Sequence, residues 1–63
     1  MGKYHFNLIG DDGLVVRERD TARGDDFQPE AMVRILLLSR GTRAVEAWRE
    51  GALLYRSERR DRD

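Results

Sequence analysis

Apolar residues recur along this chain in different rhythms, and each rhythm predicts a different element. Tyr4, Phe6 and Leu8 alternate with His5 and Asn7, which is the period of a strand with one buried face. Gly10-Asp11-Asp12-Gly13 follows, and Asp-Gly between two apolar-patterned runs predicts a hairpin turn. Leu14-Val15-Val16-Arg17-Glu18-Arg19 returns as the second strand, its outer half charged as expected of a sheet edge. Asp20 to Gln28 is polar, with Gly24 in the middle, and reads as a connecting loop.

From Pro29 to Arg40 the rhythm changes. Seven of the eight positions from Ala31 to Leu38 are apolar, and Ala, Met and Leu are good helix formers. Pro29 suits the first turn of a helix, and Asp25 and Asp26 lie where a carboxylate can cap it. Gly41 suits the left-handed residue that stops it. At ~100° per residue, Ala31, Ile35 and Leu38 share one side, while Val33 and Leu37 point largely away. A helix apolar on two sides asks for cover on both, and a chain this small supplies the second cover with difficulty. The expectation is a homodimer in which paired helices bury Val33 and Leu37. The competing arrangement folds the Asp20–Gln28 loop over the helix, with Phe27 as the cover.

Residues 43–59 admit two readings. Ala44, Val45, Ala47, Trp48, Ala52, Leu54 and Tyr55 fall in one wide arc of a helix that Thr42 could cap, with Gly51 costing ~1 kcal/mol inside it. Alternatively, Ala44 to Arg49 and Ala52 to Glu58 are strands joined around Glu50-Gly51. Periodicity prefers the helix. A match within the chain favours the hairpin: Asp12-Gly13 and Glu50-Gly51 are each followed by an apolar run and then by charge.

Tyr4-His5-Phe6-Asn7-Leu8, the Asp12-Gly13 turn, Asp25-Asp26-Phe27-Gln28-Pro29-Glu30-Ala31 and Val45-Glu46-Ala47-Trp48-Arg49-Glu50-Gly51-Ala52-Leu53-Leu54 together resemble the DUF6894 family of small bacterial proteins of unknown function. The resemblance implies an aromatic-alternating strand, an Asp-Gly turn, a helix and a second hairpin. The chain departs from that family at Thr21-Ala22-Arg23, which replaces an acidic, glycine-containing turn, and in its Leu-rich helix. No catalytic residue is implied. The expected fold is therefore α+β in the order β-β-α-β-β, one antiparallel sheet of two hairpins carrying a single helix, with β-β-α-α as the alternative.

Length allows one small domain over residues 1–63, with 59–63 expected as a disordered tail because it offers no apolar residue to dock. Twelve basic and twelve acidic residues cancel, and eleven of the basic ones are arginine. Net neutrality argues against a strongly cationic nucleic-acid binder. There is no cysteine to staple the fold. No secretory leader or apolar run long enough to span a bilayer is visible, and the expected location is cytoplasmic.

Candidate chemistry is sparse. His5 is the only histidine, and its sequence neighbours Tyr4 and Phe6 supply neither a proton-transfer partner nor a second metal ligand. Asp11-Asp12 and Asp25-Asp26 lack the spaced oxygen ligands of a calcium loop, and turn formation and the helix start account for them. No phosphate loop, nucleophile elbow or helical His-Glu-x-x-His occurs. The expectation is a non-enzymatic protein-interaction module without cofactor or metal. It would act as a small adaptor or as an inhibitor of a larger target, for example one encoded by a phage against a bacterial defence system. Val33, Leu37, Trp48 and Tyr55 are the expected interface anchors. The alternative is a nucleic-acid-binding accessory protein that uses Arg56, Arg59, Arg60 and Arg62 on phosphates.

Overall fold

A computed structural model describes residues 2–24 and 26–59. The chain runs β1 (Gly2–Ile9), β2 (Val15–Arg23), α1 (Pro29–Leu36), β3 (Ala44–Arg49) and β4 (Ala52–Glu58). The strands form one antiparallel sheet in the order β2-β1-β3-β4. This is the expected β-β-α-β-β arrangement, and residues 43–58 are the hairpin rather than the second helix.

The hairpin prevails for a tertiary reason. β3 pairs with β1, placing Val45 opposite Leu8 and Ala47 opposite Phe6, so four side chains are buried in two continuous rows. A helix over the same residues would leave that edge of β1 unpaired. Glu50 (φ 51°) and Gly51 (φ 79°) both take positive φ, as a two-residue turn matched to strand twist requires. The glycine that penalises a helix is the residue the turn needs.

Two boundaries differ from expectation. Asp20 to Arg23 belong to β2, because the ladder with β1 continues to Gly2 opposite Arg23. The connecting loop is correspondingly shorter. The helix ends at Leu36 rather than Arg40. Beyond it, the Leu38 N–H donates to the Ile35 carbonyl (3.1 Å) and the Ser39 N–H to the Leu36 carbonyl (3.0 Å), which are the tighter i→i+3 turns typical of a helix end. Gly41 takes φ 82° within the turns that follow.

Pro29 occupies the first turn as expected, but Gln28 is the N-cap residue and no side chain caps the helix. Asp26 therefore does not cap α1, and Asp25 lies outside the described residues. The proline itself reduces the need for a cap, since it has no N–H to satisfy.

Tyr4, Phe6, Leu8, Val45 and Ala47 from the sheet meet Val33 and Leu36 from the helix in a single core. Phe27, Met32, Leu37 and Tyr55 pack around it, half-buried. The Phe27 ring lies 4.9 Å from the Tyr4 ring and 6.4 Å from the Phe6 ring, so this loop residue covers the sheet and not the outer side of the helix. α1 rests on the β3–β4 half of the sheet. β2, at the far edge, is exposed along most of its length.

The orientation of the helix is the reverse of the one expected. Val33 is completely buried and Leu37 packs on the core, while Ile35 and Leu38 are 62% and 81% exposed. Met32, Val33, Leu36 and Leu37 form the wider apolar stripe, and the sheet takes it in preference to Ala31, Ile35 and Leu38 because it buries more area.

Candidate interaction surfaces

The face of the sheet away from the helix carries a polar network built by register. Glu18, Asn7, Glu46 and Arg56 form one row across all four strands, and Asp20, His5, Trp48 and Leu53 form the next. His5 Nδ1 faces Asp20 Oδ1 at 2.5 Å. Its Nε2 lies 2.8 Å from Asn7 Oδ1 and 3.2 Å from Glu18 Oε1. Both ring nitrogens therefore meet oxygen acceptors, and only the protonated ring donates to both at once. The Asp20 hydrogen bond raises the His5 pKa above the ordinary imidazole value; burial of the ring opposes it, and the Asn7 hydrogen bond and the charges of Asp20 and Glu18 add to the rise. No metal-binding cluster of His, Cys, Asp and Glu occurs among the described residues.

In the other half of this face, Trp48 Nε1 donates to Glu46 Oε1 (3.0 Å). Arg56 donates through Nε to Glu46 Oε2 (3.3 Å) and through Nη1 to Glu58 Oε2 (2.6 Å). The guanidinium is thus shared between two carboxylates, which removes the free positive charge that a phosphate contact would use. Arg59 continues the β4 ladder, its N–H donating to the Arg43 carbonyl at 2.7 Å, and its guanidinium donates to the Leu37 carbonyl. Arg59 therefore does not belong to the expected disordered tail, because main-chain pairing docks it without any apolar side chain. The rest of that expected tail, residues 60–63 with Arg60 and Arg62 among them, lies outside the described residues.

The four expected interface residues do not share a surface. Val33 is in the core, and Leu37 and Tyr55 pack against it. Trp48 lies on the opposite side of the sheet, half-buried over Glu46. Periodicity identified both apolar sides of the helix correctly, but it carries no information on which side the sheet occupies. The outward apolar set on α1 is Ala31, Ile35 and Leu38.

A third surface escaped the sequence reading. Leu8, Val16, Arg17, Ser39, Arg40 and Thr42 line a groove of about 510 Å³ between β2 and the turns after α1. Its lining combines the apolar side chains of Leu8 and Val16 with two guanidinium groups and two hydroxyls. Leu8 and Thr42 are buried, whereas Val16 is 59% exposed. The expected strand already contained Val16 and Arg17; what periodicity could not show is that the turns after α1 fold back beside them, opposite Leu8 on β1.

No family model, curated relative or solved structure matches this chain. Nothing in that result bears on the resemblance to the DUF6894 family. No helix among the described residues is long and apolar enough to cross a membrane.

Proposed function

We propose that this chain is a non-enzymatic protein-interaction module that self-associates through the outward side of α1. In that role it serves in the cytoplasm as a small adaptor, or as an inhibitor seated on a larger target. The observation that carries the reading is the pair Ile35 and Leu38, 62% and 81% exposed on a helix whose other side already fills the core. Burying a large aliphatic side chain contributes ~1.5–3 kcal/mol, and a second copy meeting the first across a two-fold axis would bury both pairs together. The shared charge of Arg56 weighs against the nucleic-acid alternative.

Sedimentation of the wild type and of Ile35→Glu/Leu38→Glu tests the reading. The expected result is a dimer for the wild type at tens of micromolar and a folded monomer for the variant, whose melting temperature no longer rises with protein concentration. A wild type that remains monomeric at hundreds of micromolar overturns self-association.

A further inference from the structure

We propose that the free edge of β2 is a docking site for an extended segment of a partner protein, added to the sheet as a fifth strand and selected by alternating charge. The proposal rests on the reading of the chain as an interaction module and assigns that module a partner-binding edge. β2 is the outermost strand, paired on one side only. Its alternation separates charge by face. Arg17 and Arg19 lie on the helix side, opposite Leu8 and Phe6, while Glu18 and Asp20 lie on the other side, opposite Asn7 and His5. The helix rests on β3 and β4, so the arginine side of β2 stands open to solvent.

The two faces differ in how their charges are used. Glu18 and Asp20 converge on His5. Arg17 and Arg19 form no ion pair with any described residue. Arg40 adds a third guanidinium on the same side, across the groove from Arg17.

Charge on an edge strand commonly serves to block pairing, and here the block is directed at the chain itself. Two β2 edges paired antiparallel about a two-fold axis bring residues of the same face opposite one another. One central register sets Arg17 against Arg19 and Glu18 against Glu18. The next sets Arg19 against Arg19 and Glu18 against Asp20. Like charges directly opposite destabilise such a ladder, and opposite charges stabilise it. The complement is a strand with carboxylates at alternate positions facing Arg17 and Arg19, and with basic side chains between them facing Glu18 and Asp20. Main-chain hydrogen bonds then supply affinity and the side-chain alternation supplies selectivity, as in strand-addition recognition generally.

Two fluorescein-labelled peptides of identical composition and zero net charge test this. One alternates glutamate and lysine over eight residues; the other carries the same residues as two blocks. The alternating peptide is expected to bind at least tenfold more tightly, and to protect the amides of β2, but not those of β4, from hydrogen exchange. Arg17→Glu/Arg19→Glu, its fold checked by circular dichroism, should weaken that binding at least tenfold. Equal binding of the two peptides, no binding of either, protection of β4 instead, or indifference to the double substitution each overturns the proposal. Sedimentation of the same double variant separates the two readings. A dimer that persists in Arg17→Glu/Arg19→Glu and dissociates in Ile35→Glu/Leu38→Glu leaves the interaction-module reading standing even if the peptide arm fails.

Discussion

Hairpin one turns through residues 10–14, whereas hairpin two turns through Glu50-Gly51 alone. Both place an acid before a glycine, but the acid acts through different atoms. In the first turn the Asp12 side chain accepts from the Leu14 N–H at 3.1 Å, and the Gly10 N–H donates to the Leu14 carbonyl at 2.9 Å. In the second, the Glu50 backbone itself is left-handed. The strands beyond the turns differ as well. β4 lies beneath the helix and packs Tyr55 against the core, whereas no described side chain of β2 belongs to the core or packs against it as an apolar cover. A short sequence match therefore reports that a turn exists. It does not report whether the strand leaving it is covered, because cover depends on where the helix lands.

The largest effect that sharpens this contrast comes from two residues that line the same groove. Leu8 on β1 is 2% exposed and Val16 on β2 is 59% exposed. Leu8→Ala is expected to cost ~2–5 kcal/mol, enough to unfold much of a chain whose total stability is on the order of 3–10 kcal/mol. Val16→Ala should stay within ~0.5 kcal/mol. Urea denaturation of both variants checks it. A cost above ~1.5 kcal/mol for Val16→Ala would mean that β2 is covered in solution and that the contrast between the hairpins is wrong.

The turns themselves give smaller effects of opposite sign. Gly51 holds φ 79°, so Gly51→Ala should cost ~1–2 kcal/mol. Glu50→Asn, at φ 51°, replaces a side chain that tolerates this region poorly with one that suits it, and should stabilise by ~0.5–1 kcal/mol. Asp12→Ala removes one side-chain hydrogen bond and should cost ~0.5–1.5 kcal/mol. If Asp12→Asn were as stabilising as Glu50→Asn, the two turns would be equivalent after all. Thermal melts of the four variants decide between these outcomes.

Much of the architecture was legible because it follows from local rules. Alternation at Tyr4, Phe6 and Leu8, the acid-Gly turns and Pro29 at the helix start each report nearby backbone geometry. What was not legible depends on pairing between distant residues. The sheet chose between two apolar sides of α1, and sequence periodicity weights both alike. Asp20 looked like loop because it is polar, yet the free hydrogen-bonding edge of β1 extends the ladder through it. That extension places Asp20 opposite His5, which changes a histidine without sequence-adjacent acids into one held by two carboxylates.

The last and smallest effect uses that histidine to separate the hairpins by pH. The His5 pKa is raised in the folded chain, chiefly by the hydrogen bond to Asp20. A raised folded pKa means that the unfolded state binds fewer protons at intermediate pH, so stability falls as pH rises. The His5 contribution is therefore fully present below the ordinary value of 6.5 and is lost as pH climbs through the raised folded value. Its size is modest, because the ring is 37% exposed and its partners more so, and exposed ion pairs contribute little. The affected contacts join β1 to β2. The corresponding contacts of hairpin two link Arg56 to Glu46 and Glu58 and involve no histidine. Raising the pH should therefore speed amide exchange in β2 relative to β4, once the intrinsic pH dependence of exchange is removed. Asp20→Asn should move the His5 proton titration, followed by nuclear magnetic resonance, back toward the ordinary value and abolish the difference. A wild-type midpoint below the ordinary value would show that the two carboxylates do not hold the ring.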